Sequence, residues 1–421
     1  MASLDPVTPT TPPNSTASSP VEESPEETSP TKTSPPQTSL EEMLPDDLLE
    51  RFRARAAGHD REGTFPHDDL AELRERGYLR AFVPTEQGGA GWGLERVAAA
   101  QSRLAAAAPA TALAVGMHLV WTGCAAVLAA RGDRSLDLVL DDAARGEVFA
   151  FGVSEPGNDA VLFDSLTRAE PTGDGGWRFT GVKSSTSLSP VWTRLGVFGR
   201  DDTDPEAPVL VHGFVHRDQP GHSSLEDWDT IGMRATQSHS TRLEGVEVPA
   251  ERVVRVLPVG PSGDPLVFAI FAVFETLVAA VYRGVARRAV ELAVESATAG
   301  RSHRAGGAPR SHDPLVRWRV ADAAVLLQGI EPQVDAVARD VDGLVDHGAA
   351  WSAIVVGLKT RVTETARAVV DQAVAVAGGA SFRSSSELGR LQRDVLAGRF
   401  HPSSTDSAHA TVANWLLGPD H

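Results

Sequence analysis

Two clusters of hydroxyl side chains lie in loops of one stretch of the chain, residues 149–200. Ser154 belongs to VSEPGN, and Ser184–Ser187 belong to VKSSTSLSP. Hydroxyls and backbone amides at strand ends can hydrogen-bond the polar edge of a planar ring such as isoalloxazine without adding charge. Ordinary turns use the same residue types, so these clusters by themselves favour turn chemistry over a cofactor site.

Three titratable residues are candidates for chemistry, and two of them stand in apolar runs. His118 lies in VGMHLVW, Glu275 lies in FAVFETLVAAV, and His401 lies in GRFHPSS, where a helical run meets a proline. A lone histidine in an apolar helix is more often a satisfied core residue than a catalyst, and His401 also suits a surface loop. A buried carboxylate must be paired, protonated or functional. Each of the three is therefore a candidate with a structural alternative.

Several function classes are disfavoured by composition. The 13 histidines are scattered, Cys124 is the single cysteine, and the formal net charge is −17. No HExxH, paired-cysteine, GxSxG or GxxxxGK[ST] pattern occurs, which argues against those metal, hydrolase and phosphate sites. The negative charge argues against nucleic acid or an anionic membrane as the main partner. We therefore predict a small-molecule substrate and no bound metal.

The location of the protein follows from two segments. Residues 105–130 come closest to an uncharged membrane-crossing run, but they contain His118 and indicate a buried core helix rather than a membrane span. The N-terminus shows no basic region followed by an apolar one, so no secretory signal is predicted. These features predict a cytoplasmic protein that does not bind a membrane.

The elements that position these residues alternate in type along the chain. Residues 149–258 carry β-branched and aromatic runs broken by Pro-Gly, Gly-Asp-Gly-Gly and Ser-Pro, which predicts a β domain. Residues 41–148 predict an N-terminal helical domain, and residues 259–421 predict a bundle of long antiparallel helices. Residues 1–40 are rich in Pro, Ser and Thr and predict a disordered tail.

This order resembles the acyl-CoA dehydrogenase superfamily. VSEPGND resembles its flavin loop, FTGVKSSTS the strand and loop beside the flavin, IGMRATQSHST the end of its β domain, and VAGGASFRSSSELGRLQRDVLAGRF its C-terminal segment. The resemblance covers about residues 44–418. It implies an α+β multidomain fold with a central β-barrel or sandwich-like domain and a C-terminal four-helix bundle. It also implies a flavin, FAD or FMN, and a homotetramer.

The resemblance assigns cofactor contacts residue by residue. It places Gly378 and Gly379 beside a neighbouring subunit's cofactor. The family's Arg-x-x-Phe-Gly pyrophosphate motif is replaced by RSHRAGG, which leaves Arg301 and Arg304 as candidates. The residues that it places near the flavin itself are Phe151, Val153, Ser154, Ser185 and Ser187.

The family's catalytic carboxylate is missing from its usual positions. The glutamate that follows the Arg-Asp pair in acyl-CoA dehydrogenases falls on Pro402, which cannot abstract a proton. The alternative position on the first bundle helix falls on Phe274, with Glu275 one residue away. One residue turns a helix by about 100°, so Glu275 is a possible base but not an aligned one.

Other motifs resemble the flavin-dependent monooxygenases of this superfamily, dibenzothiophene monooxygenase in particular. The matching segments are EDWDTIGMRATQSHST, VGMHLV, AAVYRGVA and RFHP. That resemblance implies reduced flavin from a separate reductase, Ser187 hydrogen-bonded near flavin N5, and His118 and His401 as the residues that position and protonate the oxygen species. Pro402 stands where that branch has an acidic residue.

We therefore predict a flavin-dependent oxidoreductase, with a monooxygenase reaction favoured. The first alternative is an FAD-dependent acyl-thioester dehydrogenase in which Glu275 removes the α-proton. The second is a non-catalytic protein that keeps the flavin fold, which the missing glutamate and missing pyrophosphate motif would suit.

Overall fold

The computed structural model describes residues 38–418, so the predicted tail lies almost wholly outside the described residues. Helix α1 begins with a capping box in which Ser39 and Glu42 satisfy each other's backbone N–H groups. Helix α2 has Asp46 and Asp47 in its first turn and ends at Gly63, whose φ is 63°. The N-terminal helices are α1 (Leu40–Met43), α2 (Asp46–Glu62), α3 (His67–Glu75), α4 (Leu94–Ala107), α5 (Pro109–Ala130) and α6 (Asp137–Ala144).

Eight strands follow, and hydrogen bonds join all of them into one mixed sheet. The order is β6-β7-β3-β2-β4-β5-β8, and β1 pairs in parallel with β4. Along β7, buried Thr241 and Leu243 alternate with exposed Arg242 and Glu244, as expected for a strand with one solvated face. The strands are β1 (Phe149–Gly152), β2 (Arg168–Pro171), β3 (Trp177–Lys183), β4 (Arg194–Asp201), β5 (Val209–His216), β6 (His222–Ser224), β7 (Thr241–Val248) and β8 (Val253–Pro258).

Helix α5 packs directly on this sheet. The indole N–H of Trp121 donates to the Ala150 carbonyl over 3.1 Å. A Cβ added at Gly196 would lie 2.3 Å from the Trp121 ring, so only glycine allows the approach of helix and strand. Helix and sheet are thereby held in a fixed register around β1.

The C-terminal region contains three long helices and two shorter ones within residues 259–418. A helix of the N-terminal region also joins the predicted four-helix bundle, because α4 packs on α7 and α8. A Cβ at Gly284 would lie 2.3 Å from the Ser102 carbonyl oxygen, which shows how closely α4 and α7 cross. The elements are α7 (Pro265–Ala299), β9 (Arg301–Ser302), β10 (Ala308–Pro309), α8 (Pro314–Asp342), α9 (Ala350–Ala377), α10 (Glu387–Asp394) and α11 (Thr405–Leu417).

Two of these helices, α5 and α7, are long and apolar enough to span a membrane by length and composition. Their most apolar segments are 89% and 83% buried inside the fold. Packing on the sheet and between the helices accounts for that composition, because a helix that is apolar on every side suits a protein core.

Candidate active site

A cavity of about 330 Å³ opens where α5, the ends of β1 and β3, α7 and the segment after α10 meet. Ser154, Ser185, Ser187 and His401 line it. Its volume lies at the lower end of the range usual for small-molecule sites, about 300–1,000 Å³. The apolar side chains that line the cavity are Leu113, Met117, Phe151, Trp228, Ile231, Met233, Phe274, Leu396, Ala397, Phe400 and Pro402.

Neutral hydroxyls form one side of the cavity. The Ser187 hydroxyl lies 2.7 Å from that of Ser238, which in turn lies 2.7 Å from that of Thr236. All three residues line the cavity. Ser185 and Met233 have φ values of 54° and 51°, a backbone conformation that non-glycine residues adopt rarely and that is concentrated at functional sites. This wall offers hydrogen bonds without charge.

A buried ion pair fixes the two serine loops. The Lys183 ammonium donates to Glu155 over 2.6 Å, and both side chains are almost completely buried. Burial opposes ionisation of Glu155, but Lys183 and hydrogen bonds from Thr167 and Ser165 outweigh it and lower the pKa of Glu155 to about 2. Burial lowers the pKa of Lys183 to about 8 against the pull of Glu155, so both groups are charged at neutral pH. Beside this pair the Ser184 N–H donates to the Ser154 carbonyl over 2.8 Å, which joins the two loops.

The opposite wall is tied to α10. The Met233 N–H donates to the buried Asp394 carboxylate over 2.6 Å. Within residues 38–418, Arg393 is the one arginine that lines the cavity. Its guanidinium donates to both carboxylate oxygens of Asp60, over 3.0 and 2.6 Å. Its charge is therefore compensated by an aspartate outside the lining residues. Burial raises the pKa of Asp394 to about 6 even though the Met233 N–H favours its ionised form.

His401 enters the cavity wall from a loop that three buried groups hold in place. The Tyr282 hydroxyl lies 2.8 Å from Nε2 of His401. The Lys359 ammonium donates to the His401 and Ser403 carbonyls over 2.8 and 2.7 Å. One oxygen of Glu275 accepts from the N–H and the hydroxyl of Ser403, each over 2.9 Å. Burial, with a smaller contribution from Lys359, lowers the pKa of His401 to about 3.

The structure does not bring His118 to the cavity. Its Nε2 lies 2.7 Å from the Leu79 carbonyl, and its Nδ1 accepts from the Phe149 N–H over 3.1 Å. Both ring nitrogens are thus used by the backbone, the side chain is fully buried, and burial lowers its pKa to about 4. The neighbouring Met117 faces the cavity instead. In this structure His118 links α5 to β1 and has no free nitrogen for a ligand, which differs from the role expected of it.

Glu275 also differs from its expected role. Phe274 lines the cavity, whereas Glu275 is fully buried and faces Ser403. Burial raises the pKa of Glu275 to about 7, although Lys359 and Ser403 favour the carboxylate. Among the described residues, no aspartate or glutamate lines the cavity. Through one oxygen the carboxylate anchors the loop at Ser403, and Glu275 does not line the cavity.

The other predicted cofactor residues are spread over the molecule. Val153 is buried beside the cavity without lining it. Arg301 and Arg304 lie exposed on the β9–β10 hairpin, and Gly378 and Gly379 lie exposed at the end of α9. The single chain does not bring these four residues to the cavity, and their role toward a neighbouring subunit stays a prediction.

Sequence reasoning missed Thr236, Ser238 and Trp228 as lining residues. A signal was present, because RATQSHS is also rich in hydroxyls, with three in seven residues against five in nine for VKSSTSLSP. The apolar lining residues carried no such signal, since one side of a buried helix looks like any other in the sequence.

The lining residues suit a flavin. Aromatic surfaces and neutral hydroxyls can hold the ring and its polar edge, and the arginine on the wall is already paired. Phe151 and Phe274 both line the cavity and stack on each other, with ring centroids 5.4 Å apart and an interplanar angle of 17°. Ser154, Ser185, Ser187 and Ser238 would hold the polar edge, and His401 would face the reacting side.

Comparisons with known proteins agree with this fit. The Acyl-CoA dehydrogenase, N-terminal domain profile matches residues 34–137, and the C-terminal domain profile matches residues 276–405. L-evernosamine nitrososynthase from a Micromonospora species is 31% identical over 89% of each chain. A putative acyl-CoA dehydrogenase, YdbM, from Bacillus subtilis is 29% identical over 86% of this chain and 92% of its own. Dibenzothiophene monooxygenase from Rhodococcus erythropolis is 29% identical over 71% of each chain.

A solved structure of a flavin-bound protein is also similar to this chain over most of its length. KijD3 in complex with FMN and a dTDP-3-amino sugar has a TM-score of 0.77 and 28% identity, covering 89% of this chain and 92% of that one. The class is thus a flavin-binding oxidoreductase with a helical, sheet and helical architecture. The chain belongs to the acyl-CoA dehydrogenase family, in the branch with flavin-dependent monooxygenase and nitrososynthase relatives. The predictions of the family, the fold class and a flavin cofactor are confirmed.

Proposed function

We propose that this protein is a flavin-dependent monooxygenase acting on a small organic substrate. Bound reduced flavin supplies two electrons for the reaction with O2, so that one oxygen atom enters the substrate and the other leaves as water. The observation that carries the proposal is the absence of an aspartate or glutamate among the described cavity-lining residues. An acyl-thioester dehydrogenase needs a base at the α-carbon, and Glu275 faces Ser403 instead.

Three parts of the cavity would have separate roles in this reaction. Ser187, with Ser238 behind it, would hydrogen-bond the flavin edge near N5. His401 would hold a proton at the reacting side, since its pKa is low and a neutral imidazole has one N–H to offer. The apolar walls would exclude water, which protects a reactive intermediate from wasteful decay.

We further propose FMN as the flavin and an amine nitrogen as the first acceptor to test. Support for FMN comes from the KijD3 structure with FMN bound and from Arg301 and Arg304, which are exposed and do not line the cavity of the single chain. Support for an amine comes from the nitrososynthase relative at 31% identity. A separate flavin reductase and a cytoplasmic location complete the proposal.

A homotetramer is also proposed. Apolar side chains on α8 remain exposed in the single chain, with Leu315, Trp318 and Val325 at 59, 58 and 64% exposure. Positions three and seven residues apart share one face of a helix, so these residues form a stripe that a second copy would cover. Light scattering on the full chain tests this, and we expect Trp318→Ser to lower the measured mass.

Two measurements test the reaction. We expect the protein with chemically reduced FMN to place ¹⁸O from ¹⁸O2 into an amine substrate, as read by mass spectrometry, with one O2 consumed per product. Bleaching of oxidised flavin by an acyl-CoA under argon would instead establish the dehydrogenase alternative. Failure to bind FMN or FAD in either redox state would establish the non-catalytic alternative.

A further inference from the structure

Tyr282 makes a contact that the proposed reaction has not yet used. It lies on α7, is fully buried, and places its hydroxyl 2.8 Å from Nε2 of His401. The two ring centroids are 5.8 Å apart with an interplanar angle of 50°, so the rings are not stacked and the hydroxyl makes the contact. Tyr282 therefore reaches His401 through one directed hydrogen bond.

The direction of this hydrogen bond follows from what each group needs. Nε2 of His401 is the one hydrogen-bond partner of the Tyr282 hydroxyl within residues 38–418. A buried hydroxyl that does not donate leaves its proton unsatisfied, which is costly. Burial raises the pKa of Tyr282 far above its usual value, so the hydroxyl keeps its proton, and the low pKa of His401 leaves the ring a free acceptor nitrogen. Tyr282 donates and Nε2 accepts.

This direction fixes the tautomer. A neutral imidazole that accepts at Nε2 carries its proton on Nδ1. Nδ1 of His401 has no hydrogen-bond partner in the described part of the chain, and His401 lines the cavity. The N–H is thereby available to a ligand in the cavity, while the acceptor side is closed by the phenol.

The surrounding groups keep both partners in register. A Cβ added at Gly398 would lie 3.2 Å from Cζ of Tyr282 and 3.0 Å from Cβ of Thr363, so the segment before His401 packs tightly on the phenol ring. Lys359 holds the carbonyl of His401 from α9. These contacts fix the backbone of the segment that carries His401, and the Tyr282 hydrogen bond orients the imidazole on it.

We propose that Tyr282 is a positioning residue that holds His401 as the neutral Nδ1–H tautomer with its N–H toward the cavity. The proposal rests on the proposed function only for the identity of the ligand that meets this N–H. Its geometry depends on the fold alone.

The tautomer is measured directly in the protein with ¹⁵N-labelled histidine, by long-range ¹H–¹⁵N correlation. The His401→Gln variant identifies the His401 signals among the 13 histidines. We expect the Nδ1–H pattern in the wild-type protein and a shift to Nε2–H or to a mixture in Tyr282→Phe. In turnover we expect Tyr282→Phe to lower kcat by about tenfold and to leave KM unchanged, because orientation of a proton donor is lost and binding is not.

Tyr78→Phe is the matched control. Tyr78 is the other tyrosine of the chain, is equally buried, and donates its hydroxyl to Gln101 over 2.8 Å, away from the cavity lining. We expect its removal to leave the His401 tautomer and kcat unchanged. A loss of kcat in Tyr78→Phe equal to that in Tyr282→Phe would mean that general loosening explains the effect, which would overturn the proposal.

The wild-type spectrum alone is decisive if Tyr282→Phe does not fold. An Nε2–H pattern for His401 in the wild type would overturn the proposal without any variant, and an unchanged tautomer in Tyr282→Phe would do the same. The spectrum is recorded without flavin, so the two proposals can fail separately. If the spectrum shows the Nδ1–H tautomer but the protein has no oxygenation activity, the proposed function is refuted and the role of Tyr282 stands.

Discussion

Replacing Lys359 with methionine tests whether the loop that carries His401 is held by buried charge. The change keeps the length and apolar stem of the side chain but removes an ammonium that donates to the His401 and Ser403 carbonyls. Hydrogen bonds to a charged group contribute about 1.5–3 kcal/mol each, so the two bonds set an upper range of about 3–6 kcal/mol. Relief from burying the ammonium offsets part of this. We expect a net loss of about 3 kcal/mol in the free energy of unfolding.

The pH dependence of that loss has a definite sign. Lys359 lowers the pKa of Glu275, which burial has already raised to about 7, so removing Lys359 raises it further. A carboxyl with a raised folded-state pKa contributes stability that is present below its unfolded pKa and is lost as the pH rises. The wild type also gains stability above about pH 8, where folded Lys359 loses its proton before the unfolded chain does. The deficit of Lys359→Met should therefore grow from pH 7 to pH 9.

Urea unfolding followed by tryptophan fluorescence measures both effects. Arg361→Met is the control, because Arg361 lies one half-turn along α9 and is exposed, and we expect a change below about 0.5 kcal/mol. Adding Glu275→Gln should cost less in the Lys359→Met background than in the wild type, with a coupling of about 1 kcal/mol. A deficit under about 1 kcal/mol, or one that does not change with pH, would refute the reasoning.

Three further predictions concern the cavity walls. Ser187→Ala should weaken FMN binding about tenfold, equivalent to about 1.4 kcal/mol, in a fluorescence titration, while exposed Ser223→Ala should not. Gly232→Ala places a Cβ 2.2 Å from the Arg393 carbonyl oxygen, so it should lower the free energy of unfolding by about 1–3 kcal/mol and weaken FMN binding. Its control is Gly329→Ala, where a Cβ would meet nothing within 4 Å, and this change should be neutral or stabilising. Equal effects of the two substitutions would contradict the packing argument. Glu155→Gln should lower the free energy of unfolding by about 3–5 kcal/mol at pH 7. Because the pKa of Glu155 is lowered from 4.5 to about 2, this deficit should shrink as the pH falls through that window. An acid titration followed by circular dichroism measures the deficit, and Glu170→Gln, at an exposed position, should show no deficit at any pH.

The serine part of the site could be predicted because its positions depend on local sequence. Ser154, Ser185 and Ser187 stand in turns that directly follow β1 and β3, two strands that β4 and β2 connect within one sheet. The resemblance to a family then implied that these hydroxyls lie near a flavin. All three line the cavity, together with Phe151, which the same resemblance had assigned.

The helical part of the site could not be predicted in the same way. His118 and Glu275 each lie one residue from a side chain that does face the cavity, Met117 and Phe274. Both helices are apolar on nearly every side, so the hydrophobic pattern does not show which face meets the cavity. His401 was found, but its partner Tyr282 is 119 positions away, and no local pattern connects the two.

The sequence by itself determined the order of helical and strand regions, the loops that carry the hydroxyls and the family. These depend on periodicity, turn residues and motifs within short windows of the chain. Only the tertiary structure decided that His118 binds backbone, that Glu275 anchors Ser403, and that Tyr282 and Lys359 support His401. A step of one residue turns a helix by about 100°, and the direction of a side chain then depends on how buried helices pack. That packing arises from contacts between distant segments.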